Sequence, residues 1–148
     1  MAVVRSRVDY ALARRSTLAA LFTGRASSLD VCDAHPYLLR AAKFHGEPTQ
    51  LDCPVCKKER LIHVTYTYGD VFKAEVNGRV RQSVELQALA DEYGEFTVYV
   101  VEVCRSCGWN HLDSSYVLES TVHPPVRLGG AKRVRRGKGA AAAAVAEE

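Results

Sequence analysis

Two Cys-x-x-Cys pairs constrain the fold of this chain more than any other feature of its sequence. A two-residue spacer lets both sulfurs of a pair reach one metal ion at about 2.3 Å, and two such pairs complete the tetrahedral shell that Zn²⁺ prefers. Pro54 fixes φ inside the first pair, and Gly108 tolerates a positive φ directly after the second. The predicted ligands are Cys53, Cys56, Cys104 and Cys107. The sequence therefore predicts a zinc site made of four cysteines.

Other interpretations of the four thiols remain open at this point. Iron uses the same four-sulfur geometry, so the sequence does not separate iron from zinc. A thioredoxin-type redox pair would open a helix within a βαβ unit, whereas strand patterns flank both pairs here. His63 and His111 are further candidate ligands, although four cysteines already suffice. Four thiolates leave no position open for water, which favours a structural metal over a catalytic one.

The remaining cysteine and several aromatic residues also have two readings each. We expect Cys32 to be a small buried apolar residue; the alternative, a nucleophile, would need a base that the sequence does not identify. Trp109 directly follows the second pair, so its ring is expected to pack over the metal site; the alternative is a platform for a stacked nucleobase. Tyr66, Tyr68 and Tyr99 lie in strand patterns and are either core residues or an aromatic surface for single-stranded nucleic acid.

Apolar periodicity in the first third of the chain predicts two helices. The first spans residues 6–22, with Arg14 and Arg15 on its outer side. Its predicted inward residues are Val8, Leu12, Ala19 and Phe22, with Ala11 and Leu18 beside them. The second begins between residues 33 and 36 and ends at His45, before Gly46. Its predicted buried residues are Leu38, Leu39, Ala42 and Phe44.

The rest of the chain reads mainly as strands. Strand patterns cover residues 61–68, 71–76, 96–103 and 109–118, after a linker at 47–52. A short helix is predicted over 83–93, with Leu86, Leu89 and Ala90 facing inward. This order predicts an α+β fold in which N-terminal helices pack on an antiparallel zinc-ribbon sheet with an inserted short helix. The two pairs are separated by 47 residues, whereas paired zinc-binding motifs are usually about 15–20 residues apart, and the insert accounts for the excess.

Charge divides the chain unevenly. Residues 1–126 carry 14 Lys/Arg and 15 Asp/Glu, a net −1, whereas residues 127–148 carry six and two, a net +4. We therefore predict a helical segment over 1–50, a zinc-ribbon-like domain over 51–123, and a disordered or marginally helical basic, alanine-rich tail over 124–148. The candidate nucleic-acid-binding residues are Lys132, Arg133, Arg135, Arg136 and Lys138. They suit phosphate groups; the alternative is a solvated tail that aids solubility.

Composition bounds the class of protein. A chain of 148 residues with 47% hydrophobic residues is long enough for one domain with a core. It has no run of 18 apolar residues and no signal-peptide pattern at its start, so we expect a cytoplasmic protein without a membrane span. Five cysteines in a reducing compartment favour metal binding over disulfides.

Several motifs together resemble a known family. They are the Val-Asp-Tyr-Ala-Leu stretch at 8–12, residues 31–46 around Cys-Asp-Ala-His-Pro-Tyr, the Cys-Pro-Val-Cys pair, and residues 101–112 around Cys-Arg-Ser-Cys-Gly-Trp. In these the chain is similar to a small uncharacterised actinobacterial family with a predicted zinc ribbon. The resemblance covers about residues 6–119 and implies the zinc ribbon but no activity. The basic tail lies outside it.

These observations favour a binding module over an enzyme, because no catalytic motif stands out. We expect a non-enzymatic zinc-ribbon module associated with the transcription or translation machinery. Its partners would be a protein complex such as RNA polymerase or the ribosome, nucleic acid through the basic tail, or both. The alternative is a protein–protein adaptor whose zinc is purely structural and which touches no nucleic acid. Neither reading involves a membrane or a small-molecule substrate.

Overall fold

A single antiparallel sheet dominates the computed structural model, which describes residues 2–74 and 76–122. The elements are β1 (Ala2–Asp9), α1 (Ala11–Phe22), α2 (Ser28–Val31), α3 (Pro36–His45), β2 (Glu47–Asp52), β3 (Arg60–Tyr68), β4 (Arg79–Arg81), α4 (Ser83–Tyr93), β5 (Glu95–Val103) and β6 (Asn110–Ser120). Among the described residues the strands follow the order β1-β6-β5-β3-β2, and β4 pairs with β3 beside this path. The protein is therefore a mixed α/β structure built on an antiparallel sheet.

Helices cover both faces of the central strands. Successive side chains of a strand point to opposite faces, so β5 contributes to two separate cores. On one face, α3 packs on β3 and β5 through Leu38, Ala41, Ala42, Val64, Tyr66, Val101 and Val103. On the other, α4 packs through Leu86, Leu89, Ala90, Phe72, Phe96, Val98 and Leu118. This two-sided burial explains the nearly continuous apolar, β-branched composition of β5.

The predicted first helix begins later than its pattern indicated. Residues 2–9 form the edge strand β1, which pairs with β6, and α1 begins only at Ala11. The carboxylate of Asp9 accepts a hydrogen bond from the N–H of Ala11 at 2.7 Å, which satisfies one backbone donor at the new helix start. Pairing with a long neighbouring strand has therefore overridden the local helical pattern of residues 6–10.

The inward face of α1 was also predicted wrongly. Leu18 is the buried residue of this helix, whereas Leu12 and Phe22 are 77% and 65% exposed. Val8, predicted to face inward with them, is exposed on β1. Arg14, predicted to face outward, turns toward the sheet and pairs with Glu102. The apolar face that the sequence pattern identified is therefore left uncovered.

Two strands and one residue of α3 also differ from the prediction. Residues 47–52 form the edge strand β2 where a linker was predicted. Strand β4 pairs with β3 at residues 79–81, and not at residues 71–76 as predicted. The predicted stretch contains turn hydrogen bonds instead, such as the one from the N–H of Phe72 to the carbonyl of Gly69. Phe44, predicted to be buried on α3, is exposed.

The other elements match their predictions closely. Helix α3 ends at His45, and Leu38 and Ala42 are buried on it. Leu86, Leu89 and Ala90 face inward on α4, and β3, β5 and β6 lie where strands were predicted. Within the described ranges, every helix is too short or too polar to cross a membrane. The predicted tail and its basic residues lie outside the described ranges.

Candidate metal centre

The sheet brings the two cysteine pairs together. Residues 53–57, here called the first knuckle, precede β3, and residues 104–108, the second knuckle, follow β5. These strands pair antiparallel, with Ile62 opposite Val103, so their knuckle ends are neighbours despite the long insert between them. The Sγ atoms of all four predicted ligands lie within 4.8 Å of one another. Long-range strand pairing thus assembles what the local spacing predicted.

Both knuckles have the same backbone conformation. The N–H of Lys57 donates to the carbonyl of Cys53 at 3.1 Å, and the N–H of Gly108 donates to that of Cys104 at 3.0 Å. The residue after each pair has a positive φ, 56° at Lys57 and 89° at Gly108. The positive φ predicted for Gly108 is confirmed. Two copies of one turn therefore face each other across the cluster.

Backbone N–H groups point at the sulfurs. Val55 donates to Cys53 Sγ, and Trp109 donates to Cys107 Sγ, each at 3.4 Å. Such bonds stabilise the thiolate form and orient it toward a cation. Val55 lies in the two-residue spacer of the first pair, whereas Trp109 lies just after the second pair.

Burial and hydrogen bonding act on the thiols in opposite directions. The backbone N–H of Lys58 lowers the pKa of Cys56 to about 7. Burial raises the pKa of Cys107 to about 12 and also raises the pKa values of Cys53 and Cys104. A bound cation reverses this preference, because a coordinating thiol is deprotonated outright. The site is therefore suited to thiolates whose charge is balanced by a metal ion.

Distances between sulfurs of opposite knuckles fit a tetrahedral metal. Cys53 Sγ lies 3.6 Å from Cys107 Sγ, and Cys56 Sγ lies 3.6 Å from Cys104 Sγ. A tetrahedron with metal–sulfur bonds of about 2.3 Å has edges of about 3.8 Å. The four residues therefore match such a site in donor type, number and spacing.

An apolar wall closes the inner side of the cluster. Trp109 is 1% exposed and packs with Leu18, Val31 and Leu61 around the buried Cys53 and Cys104. This burial shows that Trp109 packs against the cysteine cluster, as expected, and it removes the ring from use as a stacking platform. Exclusion of water on this side favours a stable, closed site.

The other candidate residues lie elsewhere. His63 and His111 do not belong to the metal-capable group found among the described residues. Tyr66 is fully buried, and the rings of Tyr68 and Tyr99 pack edge to face with centroids 5.6 Å apart against the α3 core. The three tyrosines are therefore core and half-buried residues, as one of the two readings held, and do not form an aromatic surface.

Sequence reasoning missed a fifth thiol at this centre. Cys32, expected to be a buried apolar residue, is half-buried and donates its S–H to Cys107 Sγ at 3.6 Å. Cys32 lies far ahead of the first pair, so no spacing rule marks it. Only the packing of the α2–α3 connection against the second knuckle brings it there.

Sequence reasoning also missed a buried ion pair. Arg14 on α1 binds both carboxylate oxygens of Glu102, whose side chain is 3% exposed in the middle of β5. The pair borders a cleft of about 350 Å³ between the β1–α1 turn and the end of β2, lined also by Asp9, Asp52 and Asp113. The sequence around Glu102 does not indicate its partner, because Arg14 lies on a helix that is far away in sequence.

Gly108 offers a test of how tightly the second knuckle is packed. A Cβ at this position would lie 2.9 Å from the carbonyl oxygen of Cys32, in addition to the strain of the positive φ. We expect Gly108→Ala to lower the free energy of unfolding by about 3 kcal/mol, roughly 1 from the φ and roughly 2 from overpacking. Urea denaturation of the metal-loaded protein measures this change.

Gly24 provides the matched control for that substitution. Its φ is +78°, but a Cβ there would meet nothing within 4 Å. Gly24→Ala should therefore cost only about 1 kcal/mol. Equal losses in the two variants would contradict the close contact at the second knuckle.

The fold and the site define a mixed α/β protein with an antiparallel sheet and a four-cysteine cluster that could hold a metal ion. The chain belongs to the Family of unknown function (DUF5318), whose model matches residues 1–130. This confirms the resemblance to an uncharacterised family that the sequence motifs indicated.

Similar proteins occur in mycobacteria. Uncharacterized protein Rv0049 of Mycobacterium tuberculosis is 50% identical over 132 residues, covering 88% of this chain and 96% of the relative. Uncharacterized protein Mb0050 of Mycobacterium bovis matches with the same identity and coverage. No solved structure shows a significant match to the chain.

Proposed function

We propose that this protein is a non-enzymatic zinc-ribbon binding module. The observation that carries the proposal is the convergence of four Sγ atoms within 4.8 Å from two knuckles of the same conformation. Cys53, Cys56, Cys104 and Cys107 would hold one Zn²⁺, and the bound ion would supply cross-linking rather than catalysis, since four thiolates fill its shell. Its role would be to tie the ends of β3 and β5 together. Reduced thiols of this kind suit the cytoplasm.

Charge supports nucleic acid as the partner of this module. Residues 1–126 carry a net −1, so the +4 of residues 127–148 is the main source of attraction for phosphates. The residues proposed to bind are Lys132, Arg133, Arg135, Arg136 and Lys138. We propose that they attach the module to the nucleic acid of the transcription or translation machinery, with little sequence preference, because such contacts read phosphates.

Removal of residues 127–148 is the test of this partner. Full-length protein should bind duplex DNA or RNA at low salt, and five or six phosphate contacts should give a slope of roughly −4 to −5 in log K against log salt on DNA. The truncated protein should lose most of this binding and keep its metal. A full-length variant with the five basic residues replaced by glutamine is the matched control. If all three proteins bound nucleic acid equally in a filter-binding assay, the proposal would be overturned.

A protein–protein adaptor is the second candidate function. It is favoured by the exposed apolar side chains of the first two helices: Leu12, Phe22 and Leu29, the last 85% exposed. Leu12→Glu and Phe22→Glu should then abolish capture of a partner from nuclease-treated lysate while leaving metal content unchanged. Capture that requires intact nucleic acid and residues 127–148 would instead favour the first candidate.

A further inference from the structure

The metal centre contains one thiol more than a tetrahedral ion requires. Cys53, Cys56, Cys104 and Cys107 complete the four-sulfur shell, and Cys32 lies outside it with its S–H directed at Cys107 Sγ, 3.6 Å away. A free thiol in contact with a metal-binding sulfur is chemically distinct from the other four. Because Cys32 is not one of the proposed metal ligands, its sulfur can react without a metal–sulfur bond being broken first.

The position of Cys32 is fixed by the backbone around it. The N–H of Ala34 donates to the carbonyl of Gly108 at 3.0 Å. The amide of Asn110 donates to the carboxylate of Asp33 at 3.1 Å. These bonds dock the segment 32–34 on the second knuckle, and the absence of a Cβ at Gly108 permits the close approach. The contact between the two sulfurs is therefore built into the fold.

Exposure separates this sulfur pair from the other close pairs. Cys53 and Cys104 are fully buried, and each close contact between two predicted metal ligands involves one of them. Cys32 and Cys107 are both half-buried. A small oxidant can therefore reach the Cys32–Cys107 pair, whereas the apolar wall around Trp109 shields the inner sulfurs.

We propose that Cys32 and Cys107 form a peroxide-reactive pair whose disulfide opens the metal centre. The Cys32 sulfur attacks one oxygen of hydrogen peroxide, the O–O bond breaks, and the thiol proton leaves with the hydroxide as water, giving a sulfenic acid. The Cys107 sulfur then attacks the Cys32 sulfur, the S–O bond breaks, and the second hydroxide takes a proton and leaves as water. Cys107, as a zinc-binding thiolate, carries no proton, so the second water takes its proton from solvent. The two sulfurs lose two electrons in all, and one peroxide becomes two waters.

Loss of the Cys107 thiolate leaves three ligands for the metal: Cys53, Cys56 and Cys104. A three-thiolate site holds zinc less firmly, so the ion is released to competing ligands. Thiol–disulfide exchange with a cellular dithiol regenerates both cysteines. This inference rests on the zinc site proposed above and adds a covalent modification to it.

The experiment treats full-length, reduced, zinc-loaded protein with hydrogen peroxide. Zinc release is followed with a chromogenic chelator, and disulfides are located by mass spectrometry of proteolytic peptides after the remaining thiols are alkylated. We expect a Cys32–Cys107 cross-link that forms together with zinc release, and both should reverse with dithiothreitol. Cys32→Ser should keep full zinc content when reduced, lose the cross-link, and lose most of the peroxide-triggered release; Cys32→Ala should behave alike.

Three results would overturn the inference. They are a first disulfide between Cys53 and Cys56, zinc release from Cys32→Ser as fast as from the wild type, and loss of zinc from reduced Cys32→Ser, which would make Cys32 a ligand. A wild-type protein that holds no zinc but still forms the Cys32–Cys107 cross-link would overturn the zinc proposal and support the reactive pair. The two proposals therefore fail separately.

Discussion

Cys104→Ser is expected to release the metal and to lower the free energy of unfolding by about 4–5 kcal/mol or more, the range reached when a structural metal is lost. Cys104 is fully buried at the end of β5, and its sulfur is one of four that join the two knuckles. At about 2–4 °C per kcal/mol for a chain of this size, the melting temperature should fall by about 8–20 °C. Calorimetry with parallel zinc analysis measures both effects.

Two controls separate metal loss from a packing defect at Cys104. Wild-type protein stripped of metal by a chelator should melt near the temperature of Cys104→Ser, because both lack the cross-link between knuckles. Cys32→Ser removes a thiol from the same cluster but no proposed ligand, so its melting temperature should stay close to that of the wild type. Chelated and metal-loaded wild-type proteins that melt together would show that the site is not structural.

Arg14→Met is expected to lower the free energy of unfolding by about 3 kcal/mol. The substitution keeps most of the side-chain volume but leaves the carboxylate of Glu102 buried without its partner, and breaking a buried pair from one side typically costs about 3–5 kcal/mol. The lower end applies because Arg14 is partly exposed. Urea denaturation of the metal-loaded protein measures the change.

The matched control for this ion pair is Arg15→Met. Arg15 is the neighbouring residue on the exposed side of α1, so its replacement should change stability by less than about 0.5 kcal/mol. The double variant Arg14→Met with Glu102→Leu should recover part of the loss, because it removes both buried charges together. A double variant that is no more stable than Arg14→Met would contradict the expected recovery.

The sequence predicts the four-cysteine cluster well because its signal is local. Each Cys-x-x-Cys pair and the positive φ after the second pair follow from residues within one turn. Helices α3 and α4 are predicted for a similar reason: their apolar positions repeat at helical spacing and their ends carry Gly46 and Gly94.

The features that escaped prediction depend on partners distant in sequence. Residues 2–9 form a strand because they pair with β6, and residues 47–52 form a strand because they pair with β3. Arg14 faces inward because Glu102 is buried opposite it. Cys32 reaches Cys107 only once segment 32–34 docks on the second knuckle. No periodicity within a single segment contains this information.

Native mass spectrometry of the full-length protein can show whether one zinc ion joins the two knuckles. We expect one Zn²⁺ per chain, with the four ligand thiols protected from an alkylating reagent and Cys32 alone reacting. Chelation should make all five cysteines reactive. A chain that carries no metal and whose five thiols all react before chelation, or one that carries iron in place of zinc, would contradict the account.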